Sequence, residues 1–181
     1  MPKRPLMYVT GIAGGGKSAV CDELKRRGYD ALDIDKDDIA AFYDNKTGTR
    51  LSNHVPTSER TAEWRALHTW KAPRERVQAL AERPGEGPVF LCGVTANDAD
   101  DLWDLFSKIF ALVVDDKEVL RQRVLTRDED GFGKNEHELA DLMRWQQTAH
   151  EDYQKLGAIV IDTSSQSLNS VVDTIVALAS A

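Results

Sequence analysis

Gly11-Ile12-Ala13-Gly14-Gly15-Gly16-Lys17-Ser18 is the stretch that decides the fold. Its spacing, G-x-x-x-x-G-K-[ST], is that of a phosphate-binding P-loop (Walker A), and its flanks supply the context the pattern needs. Leu6-Met7-Tyr8-Val9 is a short apolar run of buried-strand type, and Ser18 opens a helical stretch, Ala19 to Arg27, that Gly28 ends. Glycines between a strand and a helix let the backbone wrap a polyphosphate with its N–H groups turned inward. The helix N-terminus adds partial positive charge at the same spot. Lys17 is then placed for the β- and γ-phosphates of a nucleoside triphosphate, and the Ser18 hydroxyl for Mg²⁺.

Length and charge narrow the class. A chain of 181 residues is expected to be a single domain, 1–181, able to bury a proper core. A net charge of −7 argues against a nucleic-acid partner held on a basic surface. Lys25-Arg26-Arg27 ends a helix, where cations suit the dipole. Cys21 and Cys92 form neither a disulfide framework nor a metal spacing, as expected of a cytoplasmic chain. The apolar stretch after Met1-Pro-Lys-Arg-Pro is too short for a signal peptide and no run reaches transmembrane length, so no membrane partner is expected.

Apolar runs and helical patterns alternate along the rest of the chain. Ala31–Ile34 reads as a second strand, Asp44–Pro56 as a polar turn, and 58–83 as one or two helices with Pro73 marking a kink. Val89–Cys92, Ile109–Val114 and Ala158–Ile161 read as buried strands. Helices are expected near 98–107, after an Asp115 cap with Glu118 following, over 136–156 and over 168–179. Five apolar strands separated by helices predict an α/β, three-layer P-loop NTPase fold: a five-stranded parallel sheet, helices on both faces and a short lid. Right-handed crossovers gather the strand C-termini on one edge, where ligands bind.

Two clusters of charge fall on that edge. In Asp33-Ile34-Asp35-Lys36-Asp37-Asp38, alternation along an extended strand puts Asp33 and Asp35 on one side. One carboxylate there can position the water shell of Mg²⁺ and the other can accept a proton or hydrogen bond from an acceptor hydroxyl. Asp37 and Asp38 read instead as the start of a helix over 39–43. Farther on, Arg123 and Arg127 are four residues apart and so share a helical face, placed to clamp phosphates or stack on a base. Gly131-Phe132-Gly133 after them reads as the hinge of a water-excluding lid, about 127–136. A solvated basic face with weak salt bridges is the plain structural alternative.

With these residues in place, the chain resembles the adenylate-kinase-like (nucleoside/nucleotide kinase) group of P-loop phosphotransferases, most nearly small members such as shikimate kinase. The matching positions are Gly11 to Ser18, Asp33 with Asp35, a variable helical region of about 40–82, Gly93, and Arg123 through Lys134. The resemblance implies an ATP- and Mg²⁺-dependent kinase acting on a small-molecule acceptor, a nucleoside, nucleotide or hydroxy acid, as a monomer or homodimer. It implies nucleotide contacts at Gly11, Ala13, Gly14, Gly15, Gly16, Lys17, Ser18, Ala19 and Arg123, and catalytic roles for Lys17, Asp35, Arg123 and Arg127. Ser18 and Asp33 would serve the metal, Asp35 and Gly93 the acceptor, and Asp162-Thr163-Ser164 would border the adenine.

The chain departs from that pattern in two places. Gly93 is followed by Val94-Thr95-Ala96-Asn97 instead of further glycines, and the acceptor-binding arginine of the variable region has no clear counterpart, with Arg60, Arg65, Arg74 and Arg76 as candidates, so shikimate itself is not the expected acceptor. Trp64, His68 and Trp70 line an acceptor pocket or simply pack together. A GTPase is disfavoured because no Asn-Lys-x-Asp occurs; a non-catalytic ATP-binding sensor or a kinase-like toxin is the remaining alternative.

Overall fold

Strict alternation along the central strands sets the layers. The computed structural model describes residues 3–52, 54–127 and 131–180; Asp128, Glu129 and Asp130 of the expected lid lie outside the described residues. Strands β1 (Leu6–Gly11), β2 (Asp30–Asp33), β5 (Val89–Cys92), β6 (Lys108–Val113) and β7 (Ile159–Asp162) form one sheet in the order β2-β5-β1-β6-β7, with every pairing parallel. Leu6, Tyr8, Leu32, Val89, Leu91 and Ile109 enter the core on one face. Met7, Val9, Ala31, Phe90, Cys92 and Phe110 enter the core on the other. A period of two with both sets buried is the mark of a sheet covered on each side.

The helices follow from the same economy. α1 (Lys17–Arg26) and α6 (Leu168–Ser180) bring Val20, Leu24, Val172 and Ile175 onto the Met7 face. α4 (Lys117–Thr126) and α5 (Glu136–Lys155) bury Leu120, Val124, Leu142 and Ala149 with Ile12 and Val113. The fold is the three-layer P-loop architecture that the sequence predicts. Among the described residues, no helix is long and apolar enough to cross a membrane.

Several local expectations are corrected. Residues 39–43 form no helix: β3 (Ala41–Asp44) pairs antiparallel with β4 (His68–Lys71), Phe42 opposite Trp70. Asp38 sits at φ 54°, outside the right-handed helical region, and its carboxylate pairs with Arg50 at 2.5 Å. The stretch 58–83 accordingly divides into α2 (Ala62–Leu67), β4 and α3 (Arg74–Ala79), with a short 3₁₀ turn before α2 and another after α3. The segment expected to be a helix near 98–107 is a π turn over Asp98–Leu102 followed by a 3₁₀ turn. The cap of α4 is Asp116, whose carboxylate accepts the N–H groups of Glu118 and Val119; Asp115 instead meets His150 at 2.8 Å.

Candidate functional site

The loop between β1 and α1 is built around the close approach of β6. Gly11 has φ 129°, and a Cβ there would stand 2.0 Å from the Leu112 carbonyl oxygen, so no other residue fits. Gly16 caps α1 without offering a side chain, and the first turn carries no acid. The N-terminal N–H groups of a ten-residue helix therefore face the loop with no acidic side chain in the first turn, a setting suited to phosphate. The Lys17 ammonium lies over the loop, donating to the carbonyls of Gly11 (2.8 Å) and Ile12 (2.7 Å). Burial pulls its pKa down to about 8, with Asp35 pulling the other way, Arg127 adding to the drop, and Asp98 and Asp33 again opposing it. The charges of those four residues all act on Lys17.

Each acid reaches that site by its own route. Asp33 ends β2 and is 2% exposed; one carboxylate oxygen accepts the N–H groups of Asp35 (3.0 Å) and Lys36 (3.1 Å). The strand stops there, so Asp35 lies in the following turn, exposed, and the expected alternation along an extended strand does not hold. Asp37 accepts the N–H of Asp33 at 2.8 Å and meets Lys25 at 3.1 Å, which makes it a brace for the turn. Ser18 and Asp33 together offer hard oxygen donors of the kind Mg²⁺ takes, and an ion that keeps most of its waters needs few protein ligands. Among the described residues no group of three His, Cys, Asp or Glu could hold a metal ion.

The two arginines do different things. Arg123 donates to the Thr163 hydroxyl (2.9 Å) and carbonyl (2.7 Å), and the same hydroxyl lies 3.2 Å from the Gly15 carbonyl. It therefore ties α4 to the loop after β7 and, through Thr163, to the P-loop. Arg127 is not on the same helical face: α4 ends at Thr126, and Arg127 is extended, its guanidinium donating to the Phe132 carbonyl. Its charge acts on Lys17, adding to the fall in that lysine's pKa. Arg121 is exposed. Gly93, at φ 150°, is demanded by Ile34, whose Cβ would lie 2.6 Å from an added Cβ.

Asp98 escaped the sequence reading. It is 6% exposed and accepts the Thr95 N–H at 3.1 Å, the Thr95 hydroxyl, and the Thr10 hydroxyl at 3.3 Å. Burial pushes its pKa up, while Thr95 and Tyr8 counter the rise. Burial, then the field of Asp98, also lifts Tyr153 of α5 to about 12. The signal in the sequence was only Thr95 three residues before an acid, a pattern that also reads as an ordinary turn.

The β3–β4 hairpin packs on α2 and is bonded to the loop after β5. Trp70 donates its indole N–H to the Val94 carbonyl (3.1 Å), and the Ala96 N–H bonds back to the Trp70 carbonyl (2.8 Å). Trp64 stacks on His68 with centroids 4.2 Å apart, and Phe42 meets Trp64 at 4.7 Å and Trp70 at 4.9 Å. These rings pack on one another and remain half-buried. On the lid side, Arg60 meets the fully buried Glu138 at 3.2 Å, and Arg65 meets Asp141 at 2.9 Å. A cavity of about 610 Å³ beside Arg4, Tyr29 and Arg83 opens at the N-terminal edge of the sheet, away from all of this.

A glycine-rich loop, a lysine over it and acids at neighbouring strand ends define a P-loop nucleotide-binding protein. The family described as an AAA domain matches residues 8–144, and the chain belongs to it. Among solved structures, shikimate kinase from Acinetobacter baumannii in complex with shikimate is similar at a TM-score of 0.61 and 20% identity, covering 97% of this chain and 92% of that one. A gluconokinase from Sinorhizobium meliloti 1021 is similar at 0.54 and 18%, covering 99% and 94%. Shikimate kinase from Bacteroides thetaiotaomicron is similar at 0.58 and 16%, covering 98% and 99%. At these identities the likeness is one of fold. No curated protein matches the chain.

Proposed function

We propose that the protein is a Mg²⁺-ATP-dependent kinase that transfers the γ-phosphoryl group to a small-molecule hydroxyl. The observation that carries this reading is the Lys17 ammonium held over the glycine loop at the start of α1, with the charges of Asp35, Arg127, Asp98 and Asp33 acting on it. A scaffold for nucleotide alone needs the loop; acids set beside it give an acceptor hydroxyl somewhere to direct its proton. The fold shared with a shikimate kinase and a gluconokinase supports the same class.

The roles follow from position. The loop N–H groups and the uncapped start of α1 hold the triphosphate, and Lys17 exchanges its two carbonyl partners for phosphate oxygens. Arg127 neutralises charge on the transferring group from the lid side. Arg123 acts by fixing the loop at Thr163 against the P-loop, beside the nucleotide. Asp35, exposed in its turn, orients the acceptor hydroxyl and takes its proton. Ser18 and Asp33 would hold Mg²⁺, which when bound supplies charge neutralisation across the phosphates. Residues of about 40–82 serve as the acceptor wall and residues of about 127–136 as the lid, within one kinase unit.

Asp35→Asn tests the assignment. It is expected to lower transfer by roughly 10²–10⁴-fold, the usual worth of a general base, while ATP binding measured well below pH 8, where Lys17 stays charged without this carboxylate's support, is retained. An unchanged transfer rate places the base elsewhere.

A further inference from the structure

The variable region holds five arginines, Arg50, Arg60, Arg65, Arg74 and Arg76, and each faces a carboxylate of this same chain. Arg60 meets Glu138 at 3.2 Å, Arg65 meets Asp141 at 2.9 Å, and Arg74 grips both oxygens of Asp104, at 2.7 and 2.6 Å. Arg50 meets Asp38 at 2.5 Å, with Arg76 at 3.9 Å from the other oxygen. A carboxylate or phosphate acceptor is normally recognised by a guanidinium through paired N–H bonds. Here a ligand anion would have to displace an internal carboxylate. For Arg60 that partner is Glu138, which is fully buried and also accepts the Gly133 N–H at 2.9 Å. Stranding such a charge in the interior is strongly unfavourable.

The two lysines of the region do not fill the gap. Lys46 is exposed in the turn after β3, and Lys71 lies over the Tyr43 ring at 4.8 Å. Asp33 ends β2 and Asp35 is exposed in the turn after it, so carboxylates stand at the active edge on the side from which an acceptor is oriented. The wall instead carries half-buried Phe42, Trp64 and Trp70, surfaces that a neutral body can cover.

We infer that the acceptor is an uncharged hydroxyl compound, of nucleoside or polyol type, and not a carboxylic acid or a phosphate ester. This rests on the kinase reading above and deepens it. Because these guanidiniums already face carboxylates of the chain, an anionic acceptor has to compete with those partners, most of all at the buried Arg60–Glu138 pair, and a neutral one does not.

The test presents matched pairs to the full chain with Mg²⁺-ATP: nucleosides against their 5′-monophosphates, and sugar alcohols against the corresponding aldonic acids. Acceptor-dependent ADP release and intrinsic tryptophan emission are read in parallel. The neutral member is expected to be preferred by roughly tenfold or more in kcat/KM. Asp141→Asn, which releases the half-buried Arg65 without touching Glu138, is expected to narrow that gap by raising use of the anionic member. Preference for the acid or phosphate ester by the wild-type chain overturns the inference. If no compound stimulates turnover but neutral members alone quench tryptophan emission, the inference stands and the kinase reading fails. If anionic members alone, or no members, are bound, the inference is overturned.

Discussion

Raising the pH from 7.5 to 9 is expected to weaken ATP binding about eightfold, because Lys17 loses its proton across that window. The free site holds Lys17 at about 8, chiefly through burial. Triphosphate oxygens favour the charged ammonium, so binding is linked to proton uptake once the free site is deprotonated. With affinity scaling as one plus ten to the power of pH minus pKa, the divisor grows from about 1.3 to about 11. Isothermal titration at saturating Mg²⁺, in two buffers of different ionisation enthalpy, reads both the affinity and the proton taken up. Lys17→Met should bind more weakly and show a flat profile. Folding responds in the opposite sense. The unfolded lysine keeps its ordinary 10.5, so the unfolded chain holds more protons between about pH 8 and 10.5, and stability from this group rises with pH there. Affinity that is constant or increases from pH 7.5 to 9 refutes the reasoning, as does an absence of proton uptake at pH 9.

Further outcomes follow from individual contacts. Asp98→Asn removes a negative charge that supports the Lys17 proton, so the pH profile of ATP binding should shift to lower pH; a profile unmoved from wild type would mean Asp98 does not act on Lys17. Gly11→Ala drives a Cβ to 2.0 Å from the Leu112 carbonyl at a φ of 129°, and should cost more than about 3 kcal/mol in chemical denaturation. Glu138→Gln leaves Arg60 charged with no carboxylate opposite, and a loss of about 3–5 kcal/mol is expected in the same assay; a change below about 1 kcal/mol would show the pair to be well hydrated.

Much of the fold was legible because its signals are local. The P-loop spacing, the apolar runs around Tyr8, Phe90 and Phe110, and Gly28 and Gly157 as helix stops each declare themselves within a few residues. The β3–β4 hairpin did not. Its strands are four residues each and mix aromatics with charge, so neither period stands out, and they are stabilised by pairing across a separation no local window spans. Asp37 and Asp38 looked like helix starters because acids favour that place, yet tertiary partners claim both: Lys25 for one and Arg50 for the other. Arg127 was placed on a helical face that ends one residue before it. Asp98 was hidden for the same kind of reason, since its burial depends on Tyr8, Thr10 and Tyr153 arriving from distant parts of the chain.

The central claim is phosphoryl transfer, and following the label in γ-³²P-ATP tests it most directly. With Mg²⁺ and a neutral hydroxyl acceptor, the account predicts that label appears as a phosphate ester of the acceptor, and that Lys17→Ala lowers its rate by orders of magnitude. Label that stays in ATP or emerges only as inorganic phosphate across the acceptor panel, or transfer that survives Lys17→Ala at the wild-type rate, would contradict it.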